Sequence, residues 1–393
     1  MRKAVAVAML STMVLAAPAA AFHPEEETAV GQLPAWTERV HLNGTLEGDF
    51  AWIDKSDAGD KESGSASDLL IGTLEMAVEV DFIDWLTGGV VFLAEDLGTE
   101  DETGVTVDEA AMAFGKEDIP YYLVVGKRAQ PFGVFENHLI TDPMTQDAYE
   151  TNRVGVTAGY TGPLGLDLSA TAYKGEEMMA HLFESELFDA ETITRVADPA
   201  GDDVSSYIIA SSLEPLEGLL LFASLLSEPG SGDRNTTAGG GFSLDLDGDH
   251  GFRVDGEYIK SLDRELYAGF DRKFEEGVLS LSVAYEFVMR EREVKGGALF
   301  AERKAHLVAE PLEIAARYEH FDDDGLAEIS QTWSAENRYS AGARYAFYQD
   351  AQSGLTAYAA AEYRHTDYRV HPDLVATRAD ANDEFFMRLG VAF

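Results

Sequence analysis

Cysteine is absent from the 393 residues, which excludes disulfides and thiolate metal ligands. Positive charge is scarce: 29 Lys and Arg stand against 71 Asp and Glu, a formal net charge of −42. So acidic a chain is no nucleic-acid binder, because phosphate contacts need basic side chains. Long apolar runs are missing beyond the N-terminus. The nearest candidate, residues 207–226, is broken by Glu214, Pro215 and Glu217, whereas a spanning helix needs about 20 apolar residues. Mean hydropathy is slightly negative. Composition alone therefore leaves two options: a very soluble exported protein, or one with acidic parts in water and an apolar band elsewhere.

What is present begins with a leader. Arg2 and Lys3 precede a short apolar run over residues 4–15, followed by Ala19, Ala20 and Ala21. A charged start, a short apolar centre and an A-x-A site predict a signal peptide over residues 1–21. Residues 22–39 follow as a short periplasmic segment, too short for a plug domain. The remainder, 40–393, carries the fold.

Apolar residues recur with period 2. Val40, Leu42, Leu46, Phe50 and Trp52 alternate with His41, Asn43, Thr45, Glu47 and Asp49. Residues 70–82, 252–260, 278–287, 312–320 and 355–365 repeat the alternation, and Phe385, Met387, Leu389, Val391 and Phe393 close the chain on one face. Each such run is a strand with one apolar and one polar face. The connections alternate between short ones (83–87, 116–120, 161–165, 214–218, 247–251, 275–277, 309–311) and longer charged ones (54–67, 127–152, 175–203, 321–338, 366–383). Short and long connections in alternation describe an up-and-down meander whose two ends face different surroundings. A closed barrel with lipid outside and water inside needs this pattern, because only closure satisfies every backbone group in a bilayer. The predicted fold is all-β: a transmembrane antiparallel up-and-down β-barrel of about 18 strands, with 16 as the alternative. The weakest runs are 105–114, 205–213, 238–246 and 266–274. Tyr258, Tyr285, Tyr318 and Tyr363 are expected in one interfacial belt, and Phe82, Tyr160, Phe252, Phe347 and Phe393 in the other. The setting implied is the bacterial outer membrane, with lipid and lipopolysaccharide as surroundings.

A long, charged and irregular stretch is 126–150, GKRAQPFGVFENHLITDPMTQDAYE. On the strand count it is the third outer loop, between strands five and six. It carries Lys127, Arg128, Glu136, His138, Asp142, Asp147 and Glu150. Parity puts Arg153, Arg253, Arg317, Arg344, Arg364 and Arg388 on lumen-facing positions. The expectation is a pore constriction. Its acidic loop over 127–152 is folded inward against a basic wall that includes Arg153, Arg317, Arg344 and Arg388, and the resulting transverse field favours anionic solutes near the arginines. The competing reading pairs the arginines with lumen carboxylates such as Glu313, Glu319 and Glu362.

Two resemblances bear on this stretch. General porins are similar in folding a third loop into the lumen. The residues Gly126-Lys127, Pro131-Phe132-Gly133-Val134-Phe135-Glu136 and Asp142-Pro143, with Val105–Ala110 before them, resemble the siderophore porins typified by the legiobactin receptor (LbtU-type). The motif match covers about 45 residues; the rest agrees in strand pattern and terminal Phe393. That resemblance implies uptake of a siderophore or similar small polar solute without a plug. Phe393 resembles the C-terminal signature that barrel-insertion machinery reads. Homotrimers are known for general porins, and no strand here is marked as an interface.

Other chemistry is thin. Asp245, Asp247 and Asp249 have calcium-like spacing but lack a later glutamate, and a turn is the simpler reading. Asp322, Asp323 and Asp324 suit a solvated outer loop. His306 and Ser282 are available to a hydrolase, yet nothing in their spacing pairs them. No catalytic residue, cofactor or metal is expected. A non-conducting adhesin or structural barrel is the alternative to a channel, and an outer-membrane hydrolase stands behind both.

Overall fold

The structure is a computed structural model that describes residues 39–56, 64–98, 104–116, 118–175, 182, 187–188, 203–230, 233–246, 251–265, 273–294, 306–350, 354–375 and 379–393. Its strands are β1 (Val40–Ser56), β2 (Gly64–Ile83), β3 (Leu86–Leu97), β4 (Thr106–Lys116), β5 (Ile119–Ala129), β6 (Asn152–Thr161), β7 (Asp167–Lys174), β8 (Val204–Leu216) and β9 (Leu219–Pro229). They continue as β10 (Arg234–Leu246), β11 (Gly251–Glu265), β12 (Lys273–Phe274), β13 (Gly277–Val294), β14 (His306–Asp322), β15 (Trp333–Gln349), β16 (Thr356–Val370) and β17 (Ala381–Ala392). Two short helices, α1 (Met144–Tyr149) and α2 (Leu326–Ser330), lie in connections.

Each strand pairs antiparallel with its sequence neighbour, except that β11 pairs directly with β13. β1 pairs with both β2 and β17, which closes the sheet. The two-residue β12 touches only the outer end of β11, so the barrel has 16 strands and one short strand outside it. This is the alternative strand count, and three expected features explain the difference. Of residues 266–274, expected as a strand, only Lys273–Phe274 pair, and 266–272 lie outside the described residues. Residues 275–277 are not an inner turn: Gly277 pairs with both Lys260 and Asp322 at the outer rim. Residues 309–311 are not a turn either; they run inside β14. Pro311 suggested a break, but β14 has no partner on the β15 side before Leu312. Its missing N–H therefore costs no ladder bond there.

Alternation sets the two faces. Leu42, Leu46, Met76, Ile209, Ile314 and Leu389 are exposed on the outside, as a lipid-facing surface requires. Aromatic pairs mark both rims. Tyr318 and Tyr339 lie 5.2 Å apart on the outer half, while Trp85 and Phe114 (6.3 Å) and Tyr121 and Tyr160 (5.4 Å) lie on the inner half. Tyr285 departs from expectation. It is opposite Phe252 and stacks near Phe287, because β13 descends from the outer rim. Small residues make room inside: a Cβ on Gly159 would lie 2.0 Å from the Tyr122 ring, and one on Gly390 2.2 Å from Tyr358. Glycine at these positions lets the large rings lie flat across the neighbouring strand.

The lumen is asymmetric. Phe132, Met144, Ala148 and Tyr149 from the β5–β6 connection are buried with Leu182, Leu187, Phe188, Phe274 and Leu326 from other outer connections and with Ile208, Leu226 and Ile259 from the wall. The β5–β6 connection therefore contributes to a dry core along the β8–β15 side. At about 25 cal/mol per Å² of apolar area removed from water, such a cluster supplies the main packing term holding the outer connections together.

Candidate pore-lining site

The β5–β6 connection starts where Gln130 turns off the sheet. Its side-chain amide donates to the carbonyls of Arg128 and Arg153, at 2.7 and 2.6 Å. Phe135 (φ 54°) and Gly133 (φ 82°) adopt left-handed backbone, a conformation glycine takes without the Cβ penalty. Asp142-Pro143 then leads into α1. Pro143 is the N-cap, and its carbonyl accepts from Gln146 N and Asp147 N.

The connection meets the inward face of the barrel through its own backbone. Val134 N and Phe135 N donate to the Glu257 carboxylate at 3.0 and 3.3 Å. Ile140 N and Thr141 N donate to Glu362 Oε2 at 2.7 and 2.8 Å, and the Thr141 hydroxyl donates to Glu362 Oε1. Met144 N, at the start of α1, donates to Glu319 Oε1 at 2.5 Å. A carboxylate at a helix N-terminus satisfies an otherwise orphaned donor. Arg317 Nη1 donates to Asn137 Oδ1 and to the Thr141 carbonyl, both at 2.9 Å, and Nη2 donates to the Asp142 carbonyl at 3.0 Å. Arg338 pairs with Asp147 at 3.1 Å.

The expected arrangement is largely inverted. The wall supplies carboxylates and the loop supplies backbone donors. The expected basic wall is not open. Arg317 is 3 % exposed, forms an ion pair with Glu319 and clamps the loop. Arg388 is bound between Glu47 (2.8 Å) and Asp49 (2.7 Å), Arg364 pairs with Glu384, and Arg253 lies between Asp245 and Glu313. Arg344 sits 3.9 Å above the Tyr358 ring, whose hydroxyl donates to Glu47. Arg153 is opposite Arg128 in the β5–β6 register. Arg128 Nε donates to the Ala129 carbonyl, and Lys127 Nζ to the Val107 carbonyl. In so acidic a chain Arg253, Arg317, Arg364 and Arg388 each meet a carboxylate, and pairing satisfies both charges.

The loop's titratable groups divide by partner. His138 is nearly buried; Nε2 lies 2.8 Å from Asp255 and Nδ1 3.6 Å from Glu313. Burial pulls its pKa down, but those two carboxylates outweigh it and push it up to about 9. Burial and the nearby Asp255 raise Glu136. Burial pushes Asp147 up to about 6 despite Arg338. Burial, together with Asp142, Asp108 and Glu109, pushes Glu150 up to about 7 against the opposing hydrogen bond from Gln146. Burial raises Asp142 too, although Arg317 and Arg388 lie near.

Parity placed Asp255 and Glu257 on the polar face, but nothing local announced that they would receive the loop. Arg338, Arg264 and Glu276 were missed altogether. Arg264 and Glu276 are fully buried, 2.5 Å apart, beneath Tyr149. The aspartate run is structural: Asp323 accepts from Gly325 N, Ala327 N and the Ser334 hydroxyl, and pairs with Arg369. Ser282 donates to Asp255 inside the lumen. The side chain of His306 and residues 247–250 lie outside the described residues, as does the predicted leader.

The closed barrel, its lipid-type exterior and its strand order match solved structures. The fold is that of an outer-membrane porin. The outer-membrane channel DcaP of Acinetobacter baumannii is 13% identical, with 89% of this chain and 96% of that chain covered at a TM-score of 0.53. OmpF of Salmonella typhi, solved as a complex with daunomycin, is 12% identical over 90% of this chain and 97% of that one, at 0.55. The anion-selective porin of Comamonas acidovorans is 12% identical over 90% and 99%, at 0.51. No protein-family model and no curated protein matches the chain. The porin fold and the apolar outer face place the protein in the bacterial outer membrane, in contact with lipid and lipopolysaccharide.

Proposed function

We propose that the protein is a diffusion channel for small polar solutes, with residues 127–152 forming its constriction. The observation that carries this reading is the docking of that segment onto Glu257, Glu319, Glu362 and Arg317 on the inward face of the far strands. A segment held at that depth narrows the lumen on one side and leaves the β1–β6 side as the path. Asp142 and Glu150 line that path from the loop. Arg128 and Arg153 stand opposite each other at the outer ends of β5 and β6, Lys127 lies beside exposed Val154 on the outward face, and Arg388 stands on the wall. Glu136, His138, Asp147, Arg317 and Arg344 hold the geometry from behind.

The solute class to test first follows from the resemblance of Pro131–Glu136 and Asp142-Pro143 to the siderophore porins: a compact metal chelate crossing without a plug. Purified protein in planar bilayers should give stepwise conductance, and candidate iron chelates should block it from the outer side. Deletion of residues 131–143 should raise the single-channel conductance. An unchanged step would remove the constriction, and an absence of steps in every preparation would favour an adhesin or structural barrel.

A further inference from the structure

Resting on the channel reading, we infer that the lumen wall carries a stacking subsite for small aromatic carboxylates, built from the Tyr122 ring and the Arg128 guanidinium. Both residues lie on the inward face of β5, since Tyr121 and Leu123 at the alternate positions are exposed on the outside. Glycines flank Tyr122 on both neighbouring strands, Gly115 of β4 and Gly159 of β6. The ring lies flat on Gly159, and its hydroxyl donates to Asp167 Oδ1 of β7 at 2.9 Å. It is thereby held at its Cβ and at its hydroxyl, with one face on the wall and the other toward the lumen. Tyr122 is half-buried, and no ring or cation stacks on it among the described residues.

A second tyrosine of the barrel shows what such a face accepts. Tyr358 lies flat on Gly390 of the next strand, and its hydroxyl donates to Glu47 one strand further on. There the lumen face is covered: the Arg344 guanidinium sits 3.9 Å above the ring, and Tyr358 is 4 % exposed. A flat, delocalised group therefore fits on a tyrosine held in this way, and an aromatic ring is such a group. Arg128 sets the charge that accompanies the ring at Tyr122. Its Nε donates to the Ala129 carbonyl, while Nη1 and Nη2 have no hydrogen-bond or ion-pair partner among the described residues. The guanidinium is within electrostatic reach of Tyr122 and Asp167. Gly126 stands between the two residues on that face and puts no side chain in the way. Glu109, also within reach, has Oε1 on Ala129 N at 3.1 Å. A second cation on Tyr122 would be repelled by Arg128, whereas a carboxylate matches the fork of its two remaining nitrogens. A solute that lays a ring on Tyr122 and directs a carboxylate to Arg128 satisfies both groups, and benzoate is the smallest member of that class.

Binding to the intact protein in detergent, read by saturation-transfer NMR, and block of its open current in planar bilayers test this. Benzoate should bind about tenfold tighter than cyclohexanecarboxylate, which lacks a flat ring, and than benzyl alcohol, which lacks the carboxylate. Tyr122→Leu should bring benzoate down to the level of cyclohexanecarboxylate, and Arg128→Gln to that of benzyl alcohol. Tyr122→Phe keeps the ring and should retain most of the benzoate binding. Should the Leu and Gln variants fail to fold, the ranking of the three solutes on the wild-type protein decides the matter. Equal binding of the three, or benzoate binding untouched by Tyr122→Leu and Arg128→Gln, overturns the subsite and leaves the channel standing. Glucose competing as well as benzoate overturns the carboxylate preference and assigns the ring face to neutral sugars. Benzoate binding in detergent without conductance in bilayers overturns the channel reading and leaves the subsite in place.

Discussion

Arg317 Nη2 donates to the main-chain carbonyl of Asp142 at 3.0 Å, so a wall arginine and a loop aspartate meet through backbone and not through opposed charges. The guanidinium holds the loop in place, and the Asp142 carboxylate accepts instead from Asn137 Nδ2 at 3.2 Å. One contact thus separates two roles that charge alone would have merged.

The loop's attachment to Glu362 should be measurable. Glu362→Ala removes the acceptor of Ile140 N, Thr141 N and the Thr141 hydroxyl. Hydrogen bonds to a charged group contribute about 1.5–3 kcal/mol each in favourable cases. The variant should insert normally, yet show noisier open current and faster protease cleavage near residue 140. Unchanged current noise and cleavage would mean that the apolar packing of α1 holds the loop without Glu362.

The buried pair Arg264–Glu276 should be intolerant of half-removal. Arg264→Ala leaves Glu276 fully buried without its cation, at a cost of about 3–5 kcal/mol. Less heat-resistant folded barrel should be seen on semi-native gels. The double change Arg264→Met with Glu276→Leu should recover most of the loss, because it removes both charges together.

His138 predicts an alkaline weakness in the tether. Its pKa is raised to about 9 by Asp255 and Glu313, against burial, with Glu136 and Arg253 also facing it. A raised folded pKa means that this stabilisation is complete below about 6.5 and is lost as pH rises through about 9. Open-channel noise should therefore increase between pH 8 and pH 10, as roughly that window implies. His138→Gln should show the noise already at pH 7 and lose the pH step. A wild-type trace unchanged to pH 10 would remove His138 from the tether.

Phe393 closes the barrel as well as ending the chain. Its backbone N and O both bond to Gly44 at 3.0 Å, while its ring remains exposed. Replacement by Ser keeps both backbone bonds and removes only the aromatic ring. Slower insertion in cells with unchanged refolding in detergent would assign the ring to the insertion machinery. Equal losses in both would assign it to barrel closure.

Much of the fold was legible because strand alternation is local. Val40 to Trp52 declares an apolar outer face by spacing alone, and Leu42 and Leu46 are indeed exposed there. The address of residues 127–152 between β5 and β6 followed from counting connections. Pro311 and the residues near 275 misled the count, because a proline marks a lost donor without saying whether a partner strand is present to miss it. The charges of the site were visible, but their pairing was not. Arg317, Arg364 and Arg388 were read correctly as inward by parity, yet parity cannot say that a carboxylate from an adjacent or distant strand will occupy each one.

The sequence by itself determined a cysteine-free barrel with a charged connection between β5 and β6, since alternation, turn residues and composition act over a few neighbours. Only the tertiary structure decided what that loop faces. Glu257, Glu319 and Glu362 stand more than 100 residues from the backbone groups they receive, and barrel closure alone brings them together. Those carboxylates take the loop's N–H groups, while Arg317, Arg364 and Arg388 are held by Glu319, Glu384 and Asp49.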